Sequence, residues 1–218
     1  VILGIFRRPN MDFSVDGAVT TPNRDRGLWQ RLVAICDAVG TEPPDQIIIG
    51  IDDSFFVTEQ PVIVDGTAHR GRILYMSLSL LKQLNGSQAD AVVAHEMAHF
   101  SGNDTLYSKR ISPLLTRYDH YLEALHEGGF TLPVFHFMQC FRVLFALSLS
   151  KLSREREFRA DRIAAEVTSP MHFASALLRI VAYSEYRDSV QRELLDQEHV
   201  LESANISERI EDGFHEYQ

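Results

Sequence analysis

Apolar residues recur at three- and four-residue steps over 24–39, where Leu28, Leu32, Ile35 and Val39 fall on one face. That spacing predicts an amphipathic helix, with Asp25 near its start and Gly40 just past its end as boundary signals. The period then changes. Segments 46–51, 54–58, 61–64 and 72–76 are short, rich in Ile, Val and Phe, and separated by turn residues such as Asp52-Asp53 and Asp65-Gly66. They predict strands. From Ser77 the pattern is helical: 77–84, then 87–100, then longer helices over 105–127, 133–167 and 170–187, the last opening on Pro170. For helix 87–100, Ser87 reads as the N-cap, with Asp90 in the capping-box position. The whole predicts an α+β fold, mainly helical, with a small N-terminal antiparallel sheet packed on helix 87–100. No internal repeat or low-complexity segment interrupts it.

One stretch departs from ordinary patterning. Positions 130–152 hold fifteen apolar residues in twenty-three, approaching the length that a bilayer requires. His136, Gln139, Arg142 and Lys151 interrupt the run, and a charge at a helix centre in lipid is costly. A buried or surface-docked helix is therefore the expectation. The chain opens on largely apolar residues 1–6 followed by Arg7-Arg8, which fits the end of a membrane helix or a strand.

Composition changes this picture little. The 218 residues are 45% hydrophobic and 23% charged, as in soluble globular domains. The net charge of −9 argues against nucleic acid as a partner. Segment 184–218 carries ten acids and three bases, so the first 183 residues are close to neutral. Two cysteines, Cys36 and Cys140, cannot make a disulfide framework and form no CxxC pair; they are compatible with the cytoplasm.

The chemistry is concentrated in His95-Glu96-Met97-Ala98-His99, an HExxH motif on the helix predicted at 87–100. On a helix His95 and His99 lie one turn apart on one face. Two imidazole nitrogens can then reach one tetrahedral Zn²⁺, and Glu96, displaced around the helix, suits a base acting on water. Two histidines and a glutamate on so apolar a helix would be expensive to bury as mere core. A catalytic zinc needs a third protein ligand. Thr105 stands where HExxHxxGxxH would place a histidine, so that pattern is absent. Asp104 is near, and His120, Glu123 and His126 sit on the next helix. The best candidate is in SREREFRAD, 153–161, where Glu157 and Asp161 share a helix face. One carboxylate can bind metal while the other orients a ligand histidine.

HEMAHFSGNDT followed some fifty residues later by SREREFRAD resembles the M48 metallopeptidases, which pair HExxH with a downstream E-(Y/F)-x-A-D. The resemblance implies a zincin-like catalytic domain of the gluzincin type over 24–187, after an N-terminal segment 1–23 and before an acidic helical extension 188–218. It implies one Zn²⁺ per chain held by His95, His99 and Glu157, with Glu96 as general base. It also implies that Asp161 orients a ligand histidine, Asp104 supports the site, and Ala160 lets two helices approach closely. RGRILYMSLSLLKQL looks like the edge strand and short helix before HExxH in that family, so 72–76 is expected to pair with an extended substrate. The late element departs from the family pattern: Glu208-Arg209-Ile210 is present without a preceding His-Pro. His199, Arg209, Tyr183 and Tyr186 are therefore all candidates to stabilise the oxyanion. The implied activity is zinc-dependent hydrolysis of peptide or protein substrates, in the soluble part of a membrane-associated protease with its catalytic domain in the cytoplasm. The competing expectation is a zinc-containing domain with a blocked cleft, acting as a structural or regulatory module.

Overall fold

A computed structural model describes residues 13–52, 54–101, 112–126, 131–196, 210 and 213–214. Its strands are β1 (Phe13–Ser14), β2 (Gly17–Thr20), β3 (Gln46–Gly50), β4 (Phe56–Thr58), β5 (Val62–Val64), β6 (Thr67–His69) and β7 (Ile73–Ser77). Its helices are α1 (Arg26–Val39), α2 (Leu78–Gln83), α3 (Gly86–Phe100), α4 (Ser112–His126), α5 (Leu132–Val167) and α6 (Pro170–Asp196). The fold is thus α+β and mainly helical, as the periodicity predicts.

The main sheet runs β2-β3-β7-β4. Its outer pairings are antiparallel, but β3 and β7 at its centre are parallel, joined by a crossover that contains β4, β5 and β6. The expected antiparallel sheet is therefore a mixed one. Nor is β7 an edge: it lies between β3 and β4, so the edge nearest α3 is β4, Phe56–Thr58. Burial of β7 on both sides explains its unbroken apolar run, every residue of Ile73–Ser77 being buried. A second small sheet, β1-β5-β6, was not predicted. Its β5–β6 hairpin turns at Asp65-Gly66, with φ of 47° and 75°, the left-handed pair that a two-residue turn requires.

Strand alternation divides the core. Ile47, Leu74 and Met76 face the helices and pack with Leu32, Ile35 and Cys36 of α1 and Ala91, Val93, Ala94 and Met97 of α3. Ile48, Ile73 and Tyr75 face the other way, onto Val15, Val62 and Val64. Tyr75 reaches Asp52 with its hydroxyl, 3.0 Å, and that hydroxyl needs Gly50: a Cβ there would lie 1.9 Å from it.

The first turn of α3 lies earlier than expected. Asn85 is the N-cap and Gln88 completes the capping box, each side chain bonding the other's backbone N–H at 2.9 Å. Asp90, expected in that role, instead takes Arg31 of α1. The α6 helix runs nine residues past the expected 187, and Ile210 and Phe214 pack with its Tyr183 and Val190 and with Leu80.

The helix 133–167 forms as predicted, but its apolar half is not buried. The most apolar part of Leu132–Val167 has a mean hydropathy of 1.5 and only 6% of it is buried. Only a narrow face meets α4, where Tyr118 donates to Met138 O at 2.8 Å and Arg142 grips Asp119 at 2.6 and 3.0 Å.

Beyond Leu152 the same helix enters the core. Ala160 and Ala164 are fully buried, as are Ala94 and Ala98 on α3, and small side chains let two backbones approach. Ala164→Leu should destabilise the protein by about 2–3 kcal/mol through overpacking, read as a lowered denaturant midpoint with unchanged m-value.

Candidate metal centre

The α3–α5 crossing brings four of the sequence-predicted residues together. His95 and His99 come from successive turns of α3, their rings edge-on with centroids 5.0 Å apart. Glu157 and Asp161 come from successive turns of α5. Glu157 Oε2 lies 3.6 Å from His95 Nε2 and 3.8 Å from His99 Nε2. On the far side of the imidazole, His95 Nδ1 lies 3.1 Å from Asp161 Oδ1. His95, His99 and Glu157 each offer a ligand atom within 4.8 Å of the others, the arrangement needed to hold a metal ion.

The donor set fits a divalent cation. Ligands about 2.0–2.1 Å from a tetrahedral zinc stand about 3.4 Å apart, close to the two distances to Glu157 Oε2. Both Nε2 atoms face the shared carboxylate, and the Asp161 carboxylate stands beside the remaining nitrogen of His95. Burial, with the charge of His99 beside it, holds His95 below the usual imidazole value despite the opposing pull of Asp161 and Glu157. A neutral imidazole is the coordinating form.

Glu96 is next to the group but outside it. Removal from water, aided by the Glu157 carboxylate, pushes its carboxyl up to about 8. A divalent cation at His95, His99 and Glu157 would oppose both effects.

Three contacts that sequence reasoning missed hold this geometry. Phe173 of α6 stacks on His95, centroids 5.5 Å apart and planes 20° from parallel. Gln88 Nε2 donates to Ser175 Oγ at 3.1 Å, tying α3 to α6. Arg159 donates to Ala98 O at 3.4 Å, tying α5 to α3. Phe173 continues the apolar period of α6, but nothing in that period names its partner.

Other candidates fall elsewhere. His120 pairs with Glu123 on its own helix at 4.0 Å, and His126 packs against Phe135, so these three do not join the group. Tyr183 is buried edge-on against Phe214, and Tyr186 lies against the same ring with its hydroxyl close to Gly213. Asp104, His199 and Arg209 lie outside the described residues.

Fold and site together define a mainly helical α+β chain in which His95, His99 and Glu157 form a group that could hold a metal ion. The family model "Peptidase family M48" matches residues 64–211, a span that holds both helices of the centre. The chain belongs to peptidase family M48. It is 28% identical over 137 residues to "Protease HtpX homolog" of Fusobacterium nucleatum, covering 58% of this chain and 44% of that protein. It is 28% identical over 167 residues to "Protease HtpX homolog 2" of Methanosarcina mazei, covering 71% and 53%. It is 23% identical over 219 residues to "Protease HtpX" of Acinetobacter baylyi, covering 90% and 68%. The chain thus spans about half the length of the first two of these relatives. No solved structure matches it.

Glu96 also sets a pH dependence. A carboxyl raised from 4.5 to about 8 in the folded chain makes the folded state hold more proton than the unfolded state between those values. Stability of the chelator-treated protein should therefore fall as pH rises through that window. Glu96→Gln should flatten the fall and raise stability near pH 8, by on the order of 2 kcal/mol in urea titrations.

Proposed function

We propose that the chain is the catalytic part of a zinc-dependent endopeptidase with a zincin-like site of the gluzincin type. The observation that carries the reading is the approach of one oxygen, Glu157 Oε2, to both His95 Nε2 and His99 Nε2. His95, His99 and Glu157 would hold the ion. A bound zinc would supply a Lewis acid that polarises the scissile carbonyl and acidifies water.

The remaining work falls to the chain's own groups. Glu96, beside the cluster and on no ligand face, accepts the proton of the attacking water at its carboxylate. It then passes that proton to the leaving amine. Asp161 keeps the Nδ1 side of His95 engaged, so that Nε2 stays aimed at the shared position. Asp104 is assigned a supporting role. The oxyanion partner is drawn from His199, Arg209, Tyr183 and Tyr186. Of the two tyrosines among these candidates Tyr183 is the less accessible, being part of a closed apolar cluster.

The substrate is a peptide or an unfolded protein segment. Among the described residues no strand pairs with the outer edge of β4, and α3 packs against that strand. An extended segment adding to Phe56–Thr58 would run alongside the HExxH helix. The exposed apolar half of α5 supports membrane association of the protein, with the catalytic residues on the cytoplasmic side.

Two variants test the assignment by different readouts. Glu96→Gln should keep one zinc per chain by elemental analysis while hydrolysis of an unfolded protein drops by about 10²–10⁴-fold; full activity in the variant, or in metal-free wild type, would overturn the mechanism. Asp161→Asn should weaken zinc binding about 10–100-fold in competition with a chromogenic chelator.

A further inference from the structure

The apolar half of α5 and its partner helix together have two unlike sides. The side of α5 that meets α4 is narrow. The opposite side carries Phe137, Cys140, Leu144 and Leu147, with Phe137 74% and Leu144 63% exposed. An apolar helix exposed on most of its circumference is not a finished surface in water. Across the pair the chemistry reverses. The outer side of α4 presents Thr116, Arg117 and Glu123 to solvent.

This asymmetry decides between two ways of meeting lipid. If α5 crossed a bilayer, α4 would be carried into hydrocarbon beside it, because Tyr118 and Arg142 tie the two helices together midway along α4. Arg117 and the His120–Glu123 pair would then lose water, at high cost. If α5 instead lies flat, its apolar side enters the lipid while α4 remains above it in water.

Charge points to the same occupant. No Asp or Glu occurs from 128 to 154, whereas His136, Arg142, Lys151 and Arg154 do, in a chain of net charge −9. The side turned outward is apolar and free of acids, which complements an anionic headgroup layer. An apolar cavity of about 260 Å³ between the two helices, lined by Leu114, Leu115, Tyr118, Phe141, Arg142 and Phe145, adds room for part of an acyl chain.

We propose that α4 and α5 form an in-plane docking surface for one lipid leaflet, with Phe137, Cys140, Leu144 and Leu147 immersed and α4 in water. The inference rests on the membrane part of the reading above and gives that association a geometry. It is independent of the zinc chemistry.

Cys140 is a built-in reporter, since it is exposed and Cys36 is fully buried. The chain is labelled at Cys140 with an environment-sensitive fluorophore and mixed with phosphatidylcholine–phosphatidylglycerol vesicles carrying nitroxides near the headgroup or near the acyl terminus. The expected result is enhanced emission, stronger quenching by the shallow nitroxide and release from the vesicles by alkaline carbonate. The double substitution Phe137→Ser with Leu144→Ser should lower vesicle partitioning of the unlabelled protein by about tenfold or more, with zinc content unchanged.

Stronger quenching by the deep nitroxide, with resistance to carbonate, would mean a spanning helix; it would overturn this inference and leave membrane association standing. Partitioning that the double variant does not alter would place the lipid contact elsewhere. Absence of partitioning would remove the membrane reading along with the inference. A Cys140 signal that rises with protein concentration in buffer alone would assign the face to a second copy of the chain.

Discussion

The close approach of α3 and α5 is the constraint on which the site depends. The two helices are separated by more than thirty residues of chain, yet His95, His99 and Glu157 meet within a few ångströms. Fully buried Ala94 and Ala98 on one side and Ala160 and Ala164 on the other make that possible, because any larger side chain would hold the axes apart. Arg159, bonded to Ala98 O, fixes the helices along their length. Glu157 and Asp161 flank Ala160, so the residues that set the spacing and the residues that use it are interleaved on one helix. The sheet contributes from behind: Ile47, Leu74 and Met76 give α3 an apolar floor.

The charge balance follows from that packing. Two carboxylates are brought against two imidazoles in a half-buried space, and a third carboxyl, Glu96, is held above its usual range beside them. Crowding carboxyls without a cation opposes folding. A divalent ion at the three ligand atoms would reverse the sign of that local field. Metal binding at this group would therefore bear on stability through the same residues.

The helices of the site and the ligand pattern were legible because both are short-range. Two histidines four apart, and Glu157 with Asp161 four apart, express helix geometry directly. What was not legible depended on partners. The Asn85–Gln88 capping box was there to be read at three-residue spacing, whereas the pairing of Asp90 with Arg31, 59 positions away, has no local signal. The central place of β7 and its parallel pairing with β3 turn on a crossover, and the run Ile73–Ser77 reads alike at a sheet's centre or edge. For 130–152 the sequence left a buried or a surface-docked helix open, and the structure excludes the buried one: apolar composition states a need for cover but does not say whether protein or lipid supplies it. Asp104, His199 and Arg209 fall outside the described residues, and the tyrosine candidates pack around Phe214.

The unbroken run of α5 through both regions has a mechanical consequence. Treated as a rod pivoting at Ala160, the helix has one arm of about 35 Å to Phe137 and another of about 4.5 Å to Glu157, at 1.5 Å per residue. Displacements at the outer end would reach the carboxylate reduced about eightfold by that ratio of arms. A surface that rocks by an ångström would shift the ligand by little more than a tenth of one. Glu157 sits beside that fulcrum, so the helix could move at its outer end and still hold this carboxylate nearly still.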